Sequence, residues 1–134
     1  MSAGWSLQEV ASLEACRSAR TGRGFSLLRV APAGWAALES EVEVLANLIG
    51  AHLRRTDFVQ ARGLEVGVVL VEATEEEVHS PLSRIRAAAE VHLPRMDLRI
   101  GWASVGPGQR RTWQEGWRWA GQLLVADAAV PAAA

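Results

Sequence analysis

Apolar side chains recur every three or four residues in four stretches of the chain. This spacing predicts helices over residues 5–20, 35–54, 74–93 and 113–124. The third stretch opens with a capping box, Thr74 followed by three glutamates, and Pro94 marks its end. Pro81 lies about one turn into this helix, where a missing backbone N–H costs little.

Short apolar or alternating runs separate these helices. They predict strands over residues 25–30, 57–61, 64–71 and 96–104. Arg62 and Gly63 lie between the second and third strands, and this spacing indicates a hairpin. A short edge strand at Val125 or Val130 would complete a sheet of about five strands, and residues 127–134 are expected to form a frayed tail.

The order of elements contains a strand–helix–strand–strand–helix–strand unit. That order is typical of an α+β domain with a central, mostly antiparallel sheet and flanking helices. The ferredoxin-like or nucleotide-cyclase palm arrangement is the expected form, with the two helices of the unit on one face. A chain of 134 residues is expected to form one domain over residues 1–134, with its core over about 5–127.

Composition excludes several functional classes. A net charge of −1 argues against a strongly basic nucleic-acid binder. No apolar run approaches the roughly 18 residues of a membrane span, and the N-terminus lacks the pattern of a secretory signal. Cys16 is the only cysteine, so no internal disulfide or cysteine-based zinc site is expected, and the cytoplasm is the expected compartment. From its place on the first predicted helix we expect Cys16 to be a small core residue. His52, His79 and His92 show no metal-binding spacing.

Three local segments fall in the order found in one known family. Residues 54–62 (RRTDFVQAR) lead without a gap into Gly63-Leu64-Glu65-Val66-Gly67, and residues 98–103 are LRIGWA. With the order of elements, these segments resemble the GGDEF (diguanylate cyclase) domain over about residues 5–127. Residues 63–67 stand where that family carries its Gly-Gly-Asp/Glu-Glu-Phe signature. The resemblance implies a bacterial signalling domain related to cyclic di-GMP.

The residues at the family's catalytic positions differ from its pattern. The resemblance places Arg29 where the family has the metal-binding aspartate of its first strand. It places Glu65 and Val66 where the family has its signature acids, and Leu64 replaces a glycine that admits the nucleotide. Two-metal phosphoryl transfer needs clustered carboxylates. We therefore expect a degenerate domain with no catalytic residue, no metal and no cofactor.

The resulting expectation is a regulatory module that acts in trans through protein contacts, with another protein or as a homodimer. No nucleic-acid or membrane partner is expected. Two alternatives stay open, a cyclic di-GMP receptor and, with least support, an active diguanylate cyclase. The receptor alternative depends on Arg54 and Asp57, which stand where the family has its Arg-x-x-Asp product-inhibition site. An arginine suits bidentate contacts to phosphate or guanine, but the same spacing also suits an ion pair that closes a helix.

Three tryptophans lie close together in the last predicted helix. Trp113 and Trp117 share a face with Ala120 and Leu124, and that face is expected to pack on the core. Trp119 projects in another direction. It is a candidate for a partner surface or for peripheral packing, since large aromatic side chains left outside a core often mark interfaces.

Overall fold

The computed structural model describes residues 4–32, 39–107 and 111–129. Its helices and strands confirm the predicted order. They are α1 Leu7–Thr21, β1 Phe25–Pro32, α2 Glu39–Ala51, β2 Phe58–Arg62, β3 Glu65–Leu70, α3 His79–His92, β4 Leu98–Val105 and α4 Trp113–Ala129. The first residues of the predicted second helix, 35–38, lie outside the described residues. Within the described part of the chain, no helix combines the length and the apolarity needed to cross a membrane.

The described strands form one four-stranded antiparallel sheet in the order β2-β3-β1-β4. This is the strand order of the ferredoxin-like fold, so the predicted fold class is confirmed. Strand β1 is central, and its Arg29 lies opposite Gly67 of β3 on one side and Gly101 of β4 on the other. The expected fifth strand is not present among the described residues. Val125 lies inside α4, because the helical pattern that begins at Trp113 continues past it, and Val130 lies outside the described residues.

The sheet is covered on both faces. Helices α2 and α3 pack on one face over a core that includes Leu28, Val66 and Val68. Helices α1 and α4 pack on the other, over a smaller core that includes Leu27 and Val69. Alternate residues of a strand point to opposite faces, so Glu65 and Gly67 of β3 lie on the α1/α4 face while Val66 is buried on the α2/α3 face. The two helices within the predicted unit therefore share one face, as expected.

Helix α1 is set on the sheet differently from the predicted pattern. Ser6 and Glu9 form a capping box at its start. Leu13, assigned to the apolar stripe, is 42% exposed, and Cys16 is also exposed, so the prediction of a core cysteine is wrong. Glu14 is buried in its place. Burial raises the pKa of Glu14, the nearby Arg17 guanidinium opposes that rise, and the Glu72 carboxylate adds to it.

The capping box before α3 forms, although the regular helix begins later. The Thr74 hydroxyl accepts a hydrogen bond from the Glu77 N–H at 3.3 Å, and the Thr74 N–H donates to the Glu77 carboxylate at 3.3 Å. Hydrogen bonding of the Glu77 carboxylate to the Thr74 side chain and to the Thr74 backbone N–H lowers the pKa of Glu77. Residues 75–78 form turns, and the α-helix starts at His79. Pro81 therefore occupies the first turn, where its missing N–H has no helical partner to lose.

Candidate functional site

The candidate site lies on the α1/α4 face, where β1 meets the β2–β3 hairpin. The Arg29 Nε donates to one carboxylate oxygen of Glu65 at 2.7 Å, and Nη2 donates to the other at 3.1 Å. The remaining terminal nitrogen, Nη1, donates to the Trp117 carbonyl at 3.1 Å. Each of the two charged side chains is 22% exposed. The guanidinium is thus held by a bidentate ion pair and by the backbone of α4.

Trp117 forms one wall of this site. The Arg29 guanidinium carbon lies 4.5 Å from the centre of the Trp117 ring, and that of Arg62 lies 5.4 Å from it. A ring with two guanidinium groups within about 6 Å of its centre gains cation–π attraction from both. Gly121 of α4 leaves the space that Arg29 occupies, because a Cβ at this position would collide with the guanidinium.

Gly67 makes room for Trp117 from the strand side. A Cβ at Gly67 would lie 3.0 Å from the Trp117 ring and would collide with Leu7 of α1. Gly67 stands where the GGDEF signature ends in phenylalanine. In this chain the Trp117 ring of α4 fills the space above that strand position. Glycine at 67, in place of the family's phenylalanine, leaves the room that the ring occupies.

The residues at this site do not fit a divalent cation. Glu65 keeps a carboxylate at the signature position, but both of its oxygens are bound by Arg29. Val66, at the position of the second signature acid, is apolar and fully buried on the opposite face. No cluster of three or more histidine, cysteine, aspartate or glutamate side chains suited to a metal occurs in the described ranges. Oxygen ligands are what Mg²⁺ requires, and a guanidinium beside the carboxylate would repel it.

The tip of the hairpin is formed by Gly63 and Leu64. Gly63 has a φ of 61°, the left-handed region that glycine adopts without strain. The side chain of Leu64 is exposed. It stands where the GGDEF signature has a second glycine, so this turn carries an exposed apolar side chain at a position that has none in the family.

Arg54 and Asp57 lie in the turn between α2, which ends at Ala51, and β2, so their ion pair closes this turn and not a helix. The Arg54 side chain donates to both Asp57 oxygens, at 3.3 and 3.2 Å, and the Arg54 backbone N–H donates at 3.0 Å. The Asp57 carboxylate also accepts from the Val71 N–H at 3.0 Å. A terminal nitrogen of Arg54 donates to the Val71 carbonyl. The pair therefore binds the chain after β3 to the start of β2.

The two members of this pair differ in accessibility. The Asp57 side chain is 3% exposed, whereas that of Arg54 is 57% exposed. Arg54 borders a cleft of about 170 Å³ that Ser80 and Arg84 also line. This volume is below the roughly 300–1,000 Å³ of typical small-molecule pockets. Contacts beyond the cleft would be needed to hold a dinucleotide here.

The three tryptophans divide as their helical positions predict. Trp113 and Trp117 are partly buried and pack against the core on the α1/α4 face. Trp119 is 47% exposed and borders a cleft of about 230 Å³. Trp102 of β4 borders the same cleft, and its ring meets that of His79 edge-to-face with 5.4 Å between centroids. Sequence reasoning did not link Trp102 to Trp119, because their proximity depends on how α4 crosses β4.

No protein-family model matches the chain, and no curated protein matches it by sequence. Solved structures do match in fold. Diguanylate cyclase SiaD from Pseudomonas aeruginosa, solved in complex with its activator SiaC, has a TM-score of 0.75 and 17% identity, over 93% of this chain and 54% of the SiaD chain.

Two further matches cover most of both chains. The GGDEF domain of FimX from Pseudomonas aeruginosa has a TM-score of 0.75 and 14% identity, over 91% of this chain and 85% of the domain. A microbial GGDEF domain described in an interaction with cyclic di-GMP has a TM-score of 0.73 and 17% identity, over 92% and 85%. The TM-scores establish the fold, whereas identities this low leave the activity open. The chain has the fold of a GGDEF domain.

Proposed function

We propose that this chain is a catalytically inactive module of the GGDEF fold that regulates other proteins in trans through direct contact, with homodimerisation as one form of that contact. The single observation that carries the proposal is the bidentate ion pair between Arg29 and Glu65. It places a guanidinium against the carboxylate at the signature position that would otherwise hold a metal ion.

The energetic argument concerns what a metal ion would have to displace. Glu65 would have to leave two charge-assisted hydrogen bonds, which are among the stronger polar contacts in proteins. Arg29 would then remain beside the incoming ion, held by the Trp117 carbonyl and ring. A guanidinium and a metal cation that lie side by side in a partly buried site repel each other strongly. Phosphoryl transfer through metal ions is therefore unfavourable at this position.

Protein contact is the function that the remaining features support. SiaD, which shares the fold, was solved in a complex with an activator protein. In this chain the exposed ring of Trp119 offers a large apolar side chain of the kind that is enriched at binding hot spots. A fold that has lost its metal ligands can still serve as a binding surface, because function resides in sites and not in the fold.

A turnover assay tests the proposal. The purified chain is incubated with GTP and Mg²⁺, beside a Glu65→Gln variant as control. We expect the same negligible formation of cyclic di-GMP from both. Linear turnover by the wild-type chain that is lost in the variant would establish an active diguanylate cyclase and would overturn the proposal.

A receptor for cyclic di-GMP is the second candidate function. Arg54 favours it, because more than half of its side chain is exposed and it borders a cleft that Arg84 also lines, together with Glu77. A similar GGDEF domain is described in an interaction with cyclic di-GMP. Asp57 would have to exchange its bond from the Val71 N–H for one from guanine, so Arg54 is the better anchor.

Titration calorimetry with cyclic di-GMP tests this second candidate. If the chain is a receptor, micromolar protein should release or absorb heat with tens of micromolar ligand, and Arg54→Ala should abolish the signal. The absence of heat from the wild-type chain would remove the receptor function. Binding that persists in Arg54→Ala would assign it to another site.

A further inference from the structure

The two halves of α1 rest on the domain through different kinds of side chain. In the first half, three apolar residues belong to the core on the α1/α4 face: Leu7, Val10 and Ala11. Glu14 and Ser18 follow Val10 at intervals of four residues and so lie on the same face of the helix. They are 3% and 4% exposed, whereas Leu13 and Cys16 of the second half are exposed to solvent. The second half therefore buries polar groups and leaves apolar ones outside.

The hydrogen bonding of these two buried side chains is incomplete. Within the described residues, the Ser18 hydroxyl oxygen is buried without a hydrogen-bond partner. It lies against Gly106, just after β4, where a Cβ would be 3.2 Å from it. The Glu14 carboxylate pairs with the half-exposed Arg17 at 3.5 Å, longer than the roughly 2.7–3.2 Å of N–H···O hydrogen bonds. Burial of polar groups in this state is unfavourable, so the second half of α1 is held less firmly than the first.

Charged groups on three segments surround the Glu14 carboxyl group. The Arg17 guanidinium on α1 favours its ionised form, and the carboxylate of Glu72, in the turn after β3, disfavours it. Glu72 is itself paired at 2.9 Å with Arg23, which lies before β1. Burial is the largest influence and raises the pKa of Glu14. The ionised carboxylate is therefore the form that this buried position tolerates poorly.

We propose that residues 14–21 of α1 form a proton-sensitive latch, seated on the domain while the Glu14 carboxyl group is protonated and opened locally when that group ionises. Opening gives the Glu14 carboxylate and the Ser18 hydroxyl access to water, while Leu7 and Val10 keep the first half in place. The latch is seated most firmly in mild acid, and its stability is lost as pH rises through the raised pKa of Glu14. This regulation goes beyond the proposed function and does not depend on it.

Hydrogen exchange of the whole chain tests the latch at pH 4.5 and pH 7.5, with rates corrected for the intrinsic effect of pH. We expect protection factors for residues 14–21 that are about tenfold or more below those of β1 and unchanged by low concentrations of urea, as local opening requires. Between the two pH values, the protection factors of residues 14–21 should fall by about threefold or more.

Two variants assign this behaviour to the buried polar groups. Glu14→Gln keeps the shape of the side chain without its charge and should remove the fall in protection between the two pH values. Ser18→Ala removes the hydroxyl without a partner and should raise the protection of residues 14–21 by about threefold at both pH values. The matched control is Glu90→Gln, which neutralises an exposed acid on α3 and should leave the fall unchanged. Circular dichroism confirms that each variant is folded.

Two results would overturn the inference. One is exchange of residues 14–21 that is as slow as that of β1 and equally sensitive to urea, because it would show that this segment opens only when the whole domain unfolds. The other is a fall in protection with pH that persists in Glu14→Gln. Both leave the proposed function standing. Turnover of GTP that Glu65→Gln abolishes would overturn the proposed function and leave the exchange of residues 14–21 unaffected.

Discussion

Arg29 and Glu65 are diagonal neighbours on one face of the sheet, and their side chains share two hydrogen bonds across β1 and β3. Arg29 lies opposite Gly67, two residues from Glu65. Diagonal neighbours in an antiparallel pair stand about 7–8 Å apart, a distance that a long side chain spans. The central strand and the signature hairpin are therefore linked by an ion pair at the positions that correspond to metal-binding positions of the GGDEF family.

This link should appear in a double-mutant cycle. We expect Arg29→Met and Glu65→Gln each to lower the free energy of unfolding by about 1–3 kcal/mol, because each leaves a partly buried charge without its partner. Urea denaturation should show that the double variant loses less than the sum of the two. The more exposed pair of Arg23 and Glu72 is the control, and its cycle should give about 0–1 kcal/mol. Additive effects at Arg29 and Glu65 would contradict the coupling.

Asp57 should contribute more to stability than Arg54. Its buried carboxylate accepts hydrogen bonds from two backbone N–H groups, and Asp57→Ala leaves both without that partner. We expect a loss of about 2–3 kcal/mol for Asp57→Ala. Arg54→Ala should cost less, about 1 kcal/mol, because the buried Asp57 carboxylate keeps its two backbone N–H partners. Thermal and urea denaturation measure both. Equal, small losses would show that the pair does not hold β2 to the end of β3.

The buried carboxyl group of Glu14 should make stability depend on pH. Burial raises its pKa in the folded chain, so protonation favours folding, and stability falls as pH rises from the ordinary value through the raised one. Glu14→Gln removes this dependence. The variant should therefore gain stability relative to wild type between pH 4 and pH 7, as measured by urea denaturation. A difference that stays constant over this range would contradict the burial of an ionisable group.

The sequence predicts the sheet better than the setting of the helices on it. The strands that contain Leu27 and Val69 are apolar runs bounded by turn residues, and local signals of this kind place them correctly. Helix α1 carries a weaker pattern. Whether Leu13 or Glu14 faces the sheet depends on the rotation of the helix about its own axis. That rotation is set by contacts with β2 and β3. Burial of Glu14 was therefore not predictable from spacing.

The candidate site was predictable in its residues but not in its contacts. The resemblance to the GGDEF signature singles out Arg29 and Glu65, and the sequence alone shows that their charges are opposite. Their hydrogen bonds depend on the register of β1 against β3. The contribution of Trp117 depends on where α4 crosses the sheet, which no local pattern specifies.

Binding of a divalent cation tests the central claim most directly. The wild-type chain and its Glu65→Gln variant are titrated with Mn²⁺, and the free ion is followed by electron paramagnetic resonance. We expect all of the added Mn²⁺ to remain free in both samples at millimolar concentrations, because Arg29 holds both oxygens of Glu65. Mn²⁺ bound to the wild-type chain and released by Glu65→Gln would show a working metal site and would contradict the proposal of an inactive module.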